Sequence, residues 1–320
     1  MAHTPPNEDV HIPSHALDAL TSDALLPICV ACGTQYPGAR DRCVICDDPR
    51  QFVPPTGQSW TSLSDLQQSR THEVKRDEED HRVSFIHTTP GFGINQTPIL
   101  LETANGSYIW DCSAALTLHL ISHLLSLSKP LKAIAISHPH FFSTALTWSR
   151  ALQVPLYLCE ADKAWFQRLD DVRDTDQIRW WSNETELGPG VKLIQCGGHF
   201  PGSSVLHWDR LSEPPPPPDN LPRTPTPVSG LLLTSDTIMV MPTQSLFTFI
   251  WSAPNMIPLR PKQALAVVRR LETVPFSQAT STWPGRFIRQ DAKKILQESV
   301  EKHIGACGWK LEDDRYVPRE

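Results

Sequence analysis

Two groups of residues have the types and spacing to hold a metal ion. The first is Cys29-x-x-Cys32 followed by Cys43-x-x-Cys46. Each pair can form a knuckle whose backbone amides point at the sulfurs, and two knuckles supply four thiolates in tetrahedral geometry. Gly33 follows the first pair, where a tight turn often needs positive φ. Reduced cysteines or a redox pair are the plainer alternative, but the doubled spacing favours zinc. Its role would be structural, because four protein thiolates leave no position open for a substrate. The second group begins at His138-Pro139-His140, where an apolar run over residues 133–136 stops. Histidines two apart in an extended segment project to one side, and Pro139 restricts the backbone there. Further ligand types stand at later strand ends. His199 lies among Gly197, Gly198 and Gly202, and Asp236 lies just after residues 230–234. Glycines beside a histidine let the backbone approach an ion closely. Asp111 ends another apolar strand and joins the candidates. His119 and His123, four apart on one helical pattern, read as core edge or surface.

The elements that must position these residues alternate. Strands are expected over 83–87, 98–102 and 107–111, with the Asn105-Gly106 pair as a hairpin turn between the last two. A helical pattern covers 113–126. Strand 133–136, helix 143–152, strand 155–158 and helix 161–169 follow at short spacing, which implies an α/β layer arrangement. Strands 191–195, 204–208 and 230–234 come next, with an amphipathic stretch over 261–273 and a last helix over 290–304. Arg179-Trp180-Trp181 is aromatic and reads as core or cleft lining. The expected organisation is a poorly ordered segment over 1–27, a four-cysteine zinc-binding module over 28–55, and a linker over 56–79 whose charge run 73–81 is a solvated face. A main domain then covers 80–305, and a polar tail 306–320. Five consecutive prolines, Pro214 to Pro218, mark a surface insertion over 211–229.

Composition removes several function classes. The 320 residues are 40% hydrophobic and 20% charged, and the net charge is -6. That balance argues against a dedicated nucleic-acid binder, which would usually show a basic face. No apolar run approaches the roughly 20 residues needed to cross a bilayer. The start lacks a basic region followed by an apolar core, so a cytoplasmic, reducing setting is expected. Cys112, Cys159, Cys196 and Cys307 then read as buried thiols rather than disulfide partners.

The order and contexts of Asp111, His138, His140, His199 and Asp236 resemble those of the metallo-β-lactamase superfamily over about residues 80–305. The matching segments are His138-Pro139-His140-Phe141-Phe142-Ser143, Gly198-His199-Phe200-Pro201-Gly202-Ser203 and Thr234-Ser235-Asp236-Thr237. The resemblance implies an αββα sandwich in which His138, His140 and His199 bind one zinc and Asp236 lies beside it, as ligand or proton acceptor. The family's motif aspartate and following histidine, which serve a second metal, fall here on Phe142 and Ser143. The family's late histidine has no counterpart near Trp283. A mononuclear site is therefore expected, with one zinc at the histidines and one at the cysteines. The function implied is hydrolysis of a small ester, lactone, thioester or amide by zinc-bound hydroxide, with Asp236 in the catalytic set. The competing reading is a catalytically impaired member acting as a zinc-containing binding module, with a protein partner at the proline-rich insertion. Nuclease activity is disfavoured, because phosphodiester cleavage leans on two ions.

Overall fold

The computed structural model describes residues 12–212, 230–283, 285–312 and 315–318. The amino-terminal part comprises helix α1 (Ser14–Asp23), strand β1 (Pro27–Cys29), a short helix α2 (Val44–Asp47), strand β2 (Trp60–Ser62) and helix α3 (Leu63–Ser69). Strand β2 pairs antiparallel with β1, which closes the cysteine knuckles into a single unit. Ser62 caps α3 by accepting from the Asp65 amide while the Asp65 carboxylate accepts from Ser62, a reciprocal capping box.

Seven strands form the first sheet: β3 (Thr71–Arg76), β4 (Val83–Thr89), β5 (Ile99–Thr103), β6 (Gly106–Trp110), β7 (Leu131–Ala135), β8 (Leu156–Cys159) and β9 (Ile178–Trp181). They run in chain order, antiparallel from β3 to β6 and parallel from β6 to β9. The parallel crossovers carry α4 (Leu118–Leu125) and α5 (Ala145–Leu152). The second sheet begins with β10 (Glu184–Gly188), β11 (Val191–Gln195), β12 (Ser204–Trp208) and β13 (Gly230–Thr234). Two small hairpins follow, β14 (Met239–Val240) with β15 (Phe247–Thr248) and β16 (Ile250–Ser252) with β17 (Ile257–Pro258), and then α6 (Pro261–Arg270). Strand β18 (Phe276–Ser281) lies parallel to β13, and β19 (Phe287–Ile288) completes the sheet before α7 (Ala292–Ala306).

Side-chain alternation builds the layers, because successive residues of a strand face opposite sides. Tyr108, Trp110, Ala133 and Ala135 from the first sheet meet Leu193, Leu206, Trp208, Leu231 and Leu233 from the second in one buried core. Their neighbours Ile109, Ile134 and Ile136 face a second core under α1, α4 and α5. Ile194, Val205 and Leu232 face a third core under α6 and α7. The order helix, sheet, sheet, helix is the expected αββα sandwich.

Several expectations change. Of the stretch 1–27 expected to be poorly ordered, residues 1–11 lie outside the described residues, and in the remainder α1 buries Ala16, Ala19 and Leu20 against the first-sheet helices. The stretch 56–79 is not a linker: it supplies β2, α3 and the edge strand β3. Within the charged run, Asp77 is buried and paired with Arg289 at 2.7 Å. Residues 161–169 form short 3-10 turns instead of an α-helix. The tail carries an antiparallel hairpin, β20 (Trp309–Glu312) with β21 (Arg315–Pro318). Cys112 and Cys159 are buried, but Cys196 and Cys307 are only partly so. Residues 213–229, most of the proline-rich insertion, lie outside the described residues. Among the described residues no helix is long and apolar enough to cross a membrane.

Candidate metal centres

All four knuckle cysteines are buried and free of disulfides, and their sulfurs lie within 4.8 Å of one another. Cys29 and Cys46 are 3.6 Å apart, as are Cys32 and Cys43. Four sulfurs at about 2.3 Å from one ion in a tetrahedron would stand about 3.8 Å apart, so the set fits a single ion without rearrangement. Donors surround it: the Tyr36 hydroxyl gives to Cys43 at 3.1 Å and Gln58 Nε2 gives to Cys29 at 3.2 Å. Gly33 has φ +84, as the turn requires.

The second centre forms where β7, β11 and β13 end. The backbone at His138 is extended, and the chain then tightens into a 3-10 turn over Pro139–Phe141. The two histidines therefore do not lie on one extended segment, yet the turn still brings their rings to 5.1 Å between centroids. His199 enters from the loop after β11, and Gly197 and Gly198 both take positive φ beside it. His199 Nε2 stands 3.1 Å from His140 Nδ1. Asp236 Oδ2 lies 3.3 Å from His138 Nε2, 3.5 Å from His140 Nδ1 and 3.6 Å from His199 Nε2. The three imidazoles and the carboxylate thus converge from segments distant in the chain.

The electrostatics suit a cation. Burial pushes the His140 pKa down to about 4 even though Asp236 works against it. Burial and the neighbouring rings drop His199 well below the ordinary histidine range. Neutral imidazoles are the form that ligates. Burial opposes charge on Asp236, but contacts from His138 and His140 outweigh it and hold the carboxyl well below its usual range. His138 Nδ1 meets the Ser137 hydroxyl at 2.9 Å and the Ser235 hydroxyl at 3.3 Å, which leaves Nε2 for the centre. Among the described residues, buried His138 Nε2 has only the 3.3 Å approach of Asp236 Oδ2 and no well-aligned hydrogen bond. An ion would satisfy it, so the residues present fit a metal.

Asp111 does not join the ligand set. With φ +64 it turns its carboxylate back, and Oδ1 accepts the Ser137 amide at 2.7 Å. It braces the turn that carries His138, and burial raises its pKa well above the carboxylate range. Phe142 packs on Phe166, and the Ser143 hydroxyl donates to the Gly33 carbonyl at 3.0 Å, so neither side chain is free to serve a second ion. His119 is exposed and His123 half-buried; neither belongs to a ligand group. Two supports were not visible in the sequence. Asp162 accepts the Gly202 amide at 2.7 Å, tying down the His199 loop. Arg50 donates to the His199 carbonyl at 3.0 Å. No local spacing announces either one, because both partners are distant in the chain.

No protein-family model matches the chain. The uncharacterized protein YmaE of Bacillus subtilis (strain 168) is 33% identical over 289 residues, covering 89% of this chain and 97% of that one. The crystal structure of VMB-1 superposes with a TM-score of 0.50 at 12% identity, covering 74% of this chain and 99% of that one. The DIM-1 metallo-β-lactamase gives a TM-score of 0.48 at 11% identity, over 72% of this chain and 98% of its own. The αββα sandwich is thus a fold shared with VMB-1, and the chain belongs to the same family as YmaE.

Proposed function

We propose that this protein is a mononuclear metal-dependent hydrolase, with zinc at the histidine centre and a second, structural zinc at the four cysteines. The carrying observation is the convergence of His138 Nε2, His140 Nδ1, His199 Nε2 and Asp236 Oδ2 within 4.8 Å of one another. Borderline zinc accepts such a nitrogen and carboxylate set, and thiolates in fours are its structural ligands. An ion held there supplies Lewis acidity, polarising a carbonyl and activating water at neutral pH. The chain's own residues do the rest. Asp236, held ionised, contributes negative charge through Oδ2, a role better suited to a ligand than to a base with so low a pKa. Phe141, fully buried, stands 4.8 Å from the His138 ring and packs edge-on against the partly exposed Trp283, whose ring is the part of this apolar wall that reaches solvent. An uncharged ester, lactone, thioester or amide suits that wall.

One observation favours the second reading, a zinc-containing binding module without turnover. The histidine side chains are at most 1% exposed, and only Asp236, at 14%, reaches toward solvent. Metal counting and turnover separate the readings. Purified protein should hold two ions per chain, falling to one in the His138→Ala/His140→Ala variant. Hydrolysis of a panel of small esters, lactones, thioesters and amides should vanish with that ion. Loss of the ion without any turnover in the parent protein would favour the binding module, and unchanged metal content would refute the centre altogether.

A further inference from the structure

The four-cysteine unit does more than fold on itself, because it reaches both loops that carry the histidines. Gly33, on its first knuckle, accepts from Ser143, and the Gln35 amide donates to the Ser143 carbonyl at 3.2 Å. These contacts hold the turn that follows His140. On the other side, the chain leaving the second knuckle presents Asp48 and Arg50. The Arg50 guanidinium is clamped by Asp48, with Nε to Oδ1 at 2.6 Å and Nη2 to Oδ2 at 2.9 Å. Its remaining nitrogen, Nη1, donates to the His199 carbonyl at 3.0 Å. The guanidinium lies 3.7 Å from the Phe200 ring centre, and Phe200 in turn packs against His140 and His199 at 4.9 and 5.1 Å. The segment is anchored from behind, since Ser252 and Asn255 both donate to the Pro49 carbonyl at 2.8 Å. The Arg50 side chain is 11% exposed, and each of its three guanidinium nitrogens makes a hydrogen bond.

We propose that Arg50 is a positioning residue for the histidine centre, through which the four-cysteine unit fixes the backbone of His199 and so sets metal affinity there. The planar fork is what makes one side chain sufficient: it grips Asp48 with two nitrogens and the carbonyl with the third. Partners behind a ligand commonly change metal affinity by about 10–100-fold when removed. The inference rests on the histidine cluster binding an ion, so the test separates the two claims.

The full-length protein is loaded with cadmium alone and followed by cadmium NMR, in which thiolate-bound and imidazole-bound ions resonate far apart. A competing chelator is then titrated. In Arg50→Ala the imidazole-type signal should disappear at about 10–100-fold lower chelator than in the parent, while the thiolate-type signal is unmoved. Arg50→Lys keeps the charge but loses the fork, and should stay close to Arg50→Ala. Arg42→Ala, an exposed change in the same unit, should move neither signal. A parent protein without the imidazole-type signal would overturn both claims. A normal parent signal with unchanged affinity in Arg50→Ala would overturn this inference alone, as would full recovery in Arg50→Lys. Loss of both signals together would mark a merely structural role and equally overturn it.

Discussion

His199 Nε2 faces His140 Nδ1 across 3.1 Å, with both rings almost wholly buried. Two neutral ring nitrogens can share one proton, but the third ring and the carboxylate add donors and acceptors that no proton arrangement satisfies as well as a cation does. An ion at this point therefore contributes to the stability of the folded state as well as to chemistry. Stripping it with a chelator should lower the melting temperature. An ion present at 100 times its dissociation constant contributes about 2.7 kcal/mol. His140→Ala should remove that metal-dependent increment. Calorimetry of both proteins, with and without added zinc, reads the difference directly; an equal shift in the two would place the stabilising ion elsewhere.

Much of this centre was legible because its parts are local. Residues 133–136 announce a strand by apolar content, Asn105-Gly106 announces a hairpin, and the glycines around His199 announce a turn. The period-two alternation of Tyr108, Ile109 and Trp110 sorts them to opposite faces of one strand, as the cores confirm. Helix α1 was not legible as a packed element. Its apolar positions are few, and Asp23 is buried only because Arg150 and Arg168 come to it from far along the chain. Arg50 carries no local signal for the same reason, being 149 residues from the carbonyl it holds. The linker expected over 56–79 failed because β2 gains its partner β1 from far back in the chain, and β3, though paired with the next strand β4, is a polar edge strand with little pattern of its own.

The cysteine cluster makes a separate prediction. Cys43 accepts from the Tyr36 hydroxyl and is fully buried, so Cys43→Ser removes a ligand and leaves three thiolates facing one another. Metal binding at such sites is folding free energy for a small unit. Cys43→Ser should lose one ion per chain and become protease-sensitive first between residues 29 and 60. Cys307→Ser, at a partly exposed thiol outside any ligand group, should match the parent in both respects. Limited proteolysis with mass analysis of the fragments checks the pair.

Gly202 offers a steric test of the His199 loop. A Cβ there would stand 2.6 Å from the Asp162 carboxyl carbon and 2.8 Å from Cys159 Cβ. Asp162 is buried and tied to the Gly202 amide, and Cys159 Cβ is fixed by its strand, so neither neighbour moves cheaply. Gly202→Ala should cost about 1–3 kcal/mol, the range for overpacking. Gly38→Ala meets nothing within 4 Å and should fall within about 0.5 kcal/mol of the parent. Urea midpoints decide; equal midpoints for the two variants would mean that the loop yields freely.

The ion-pair network under α1 sets an acid limit. Asp23 is 1% exposed; its Oδ2 accepts from Arg168 Nη1 at 2.8 Å and Thr147 Oγ1 at 2.6 Å, and Arg150 approaches Oδ1 at 3.3 Å. Burial alone would raise its pKa, but the Arg168 hydrogen bond and the two guanidinium charges outweigh it and leave the group below its ordinary value. A carboxyl depressed in the fold binds protons more readily when unfolded. Its contribution is therefore complete above the unfolded pKa near 3.9 and is lost as pH falls through the lower folded value. Asp23→Asn leaves two buried guanidinium groups short of one negative charge, a loss of about 3 kcal/mol at neutral pH. That gap should narrow below about pH 4, where the unfolded parent takes up a proton that the folded carboxyl resists. Urea midpoints for the two proteins at neutral pH and at about pH 3 measure it. A gap that stays constant across the window would show that Asp23 does not titrate with folding, and that the network is held by Asp171 and Asp176 instead.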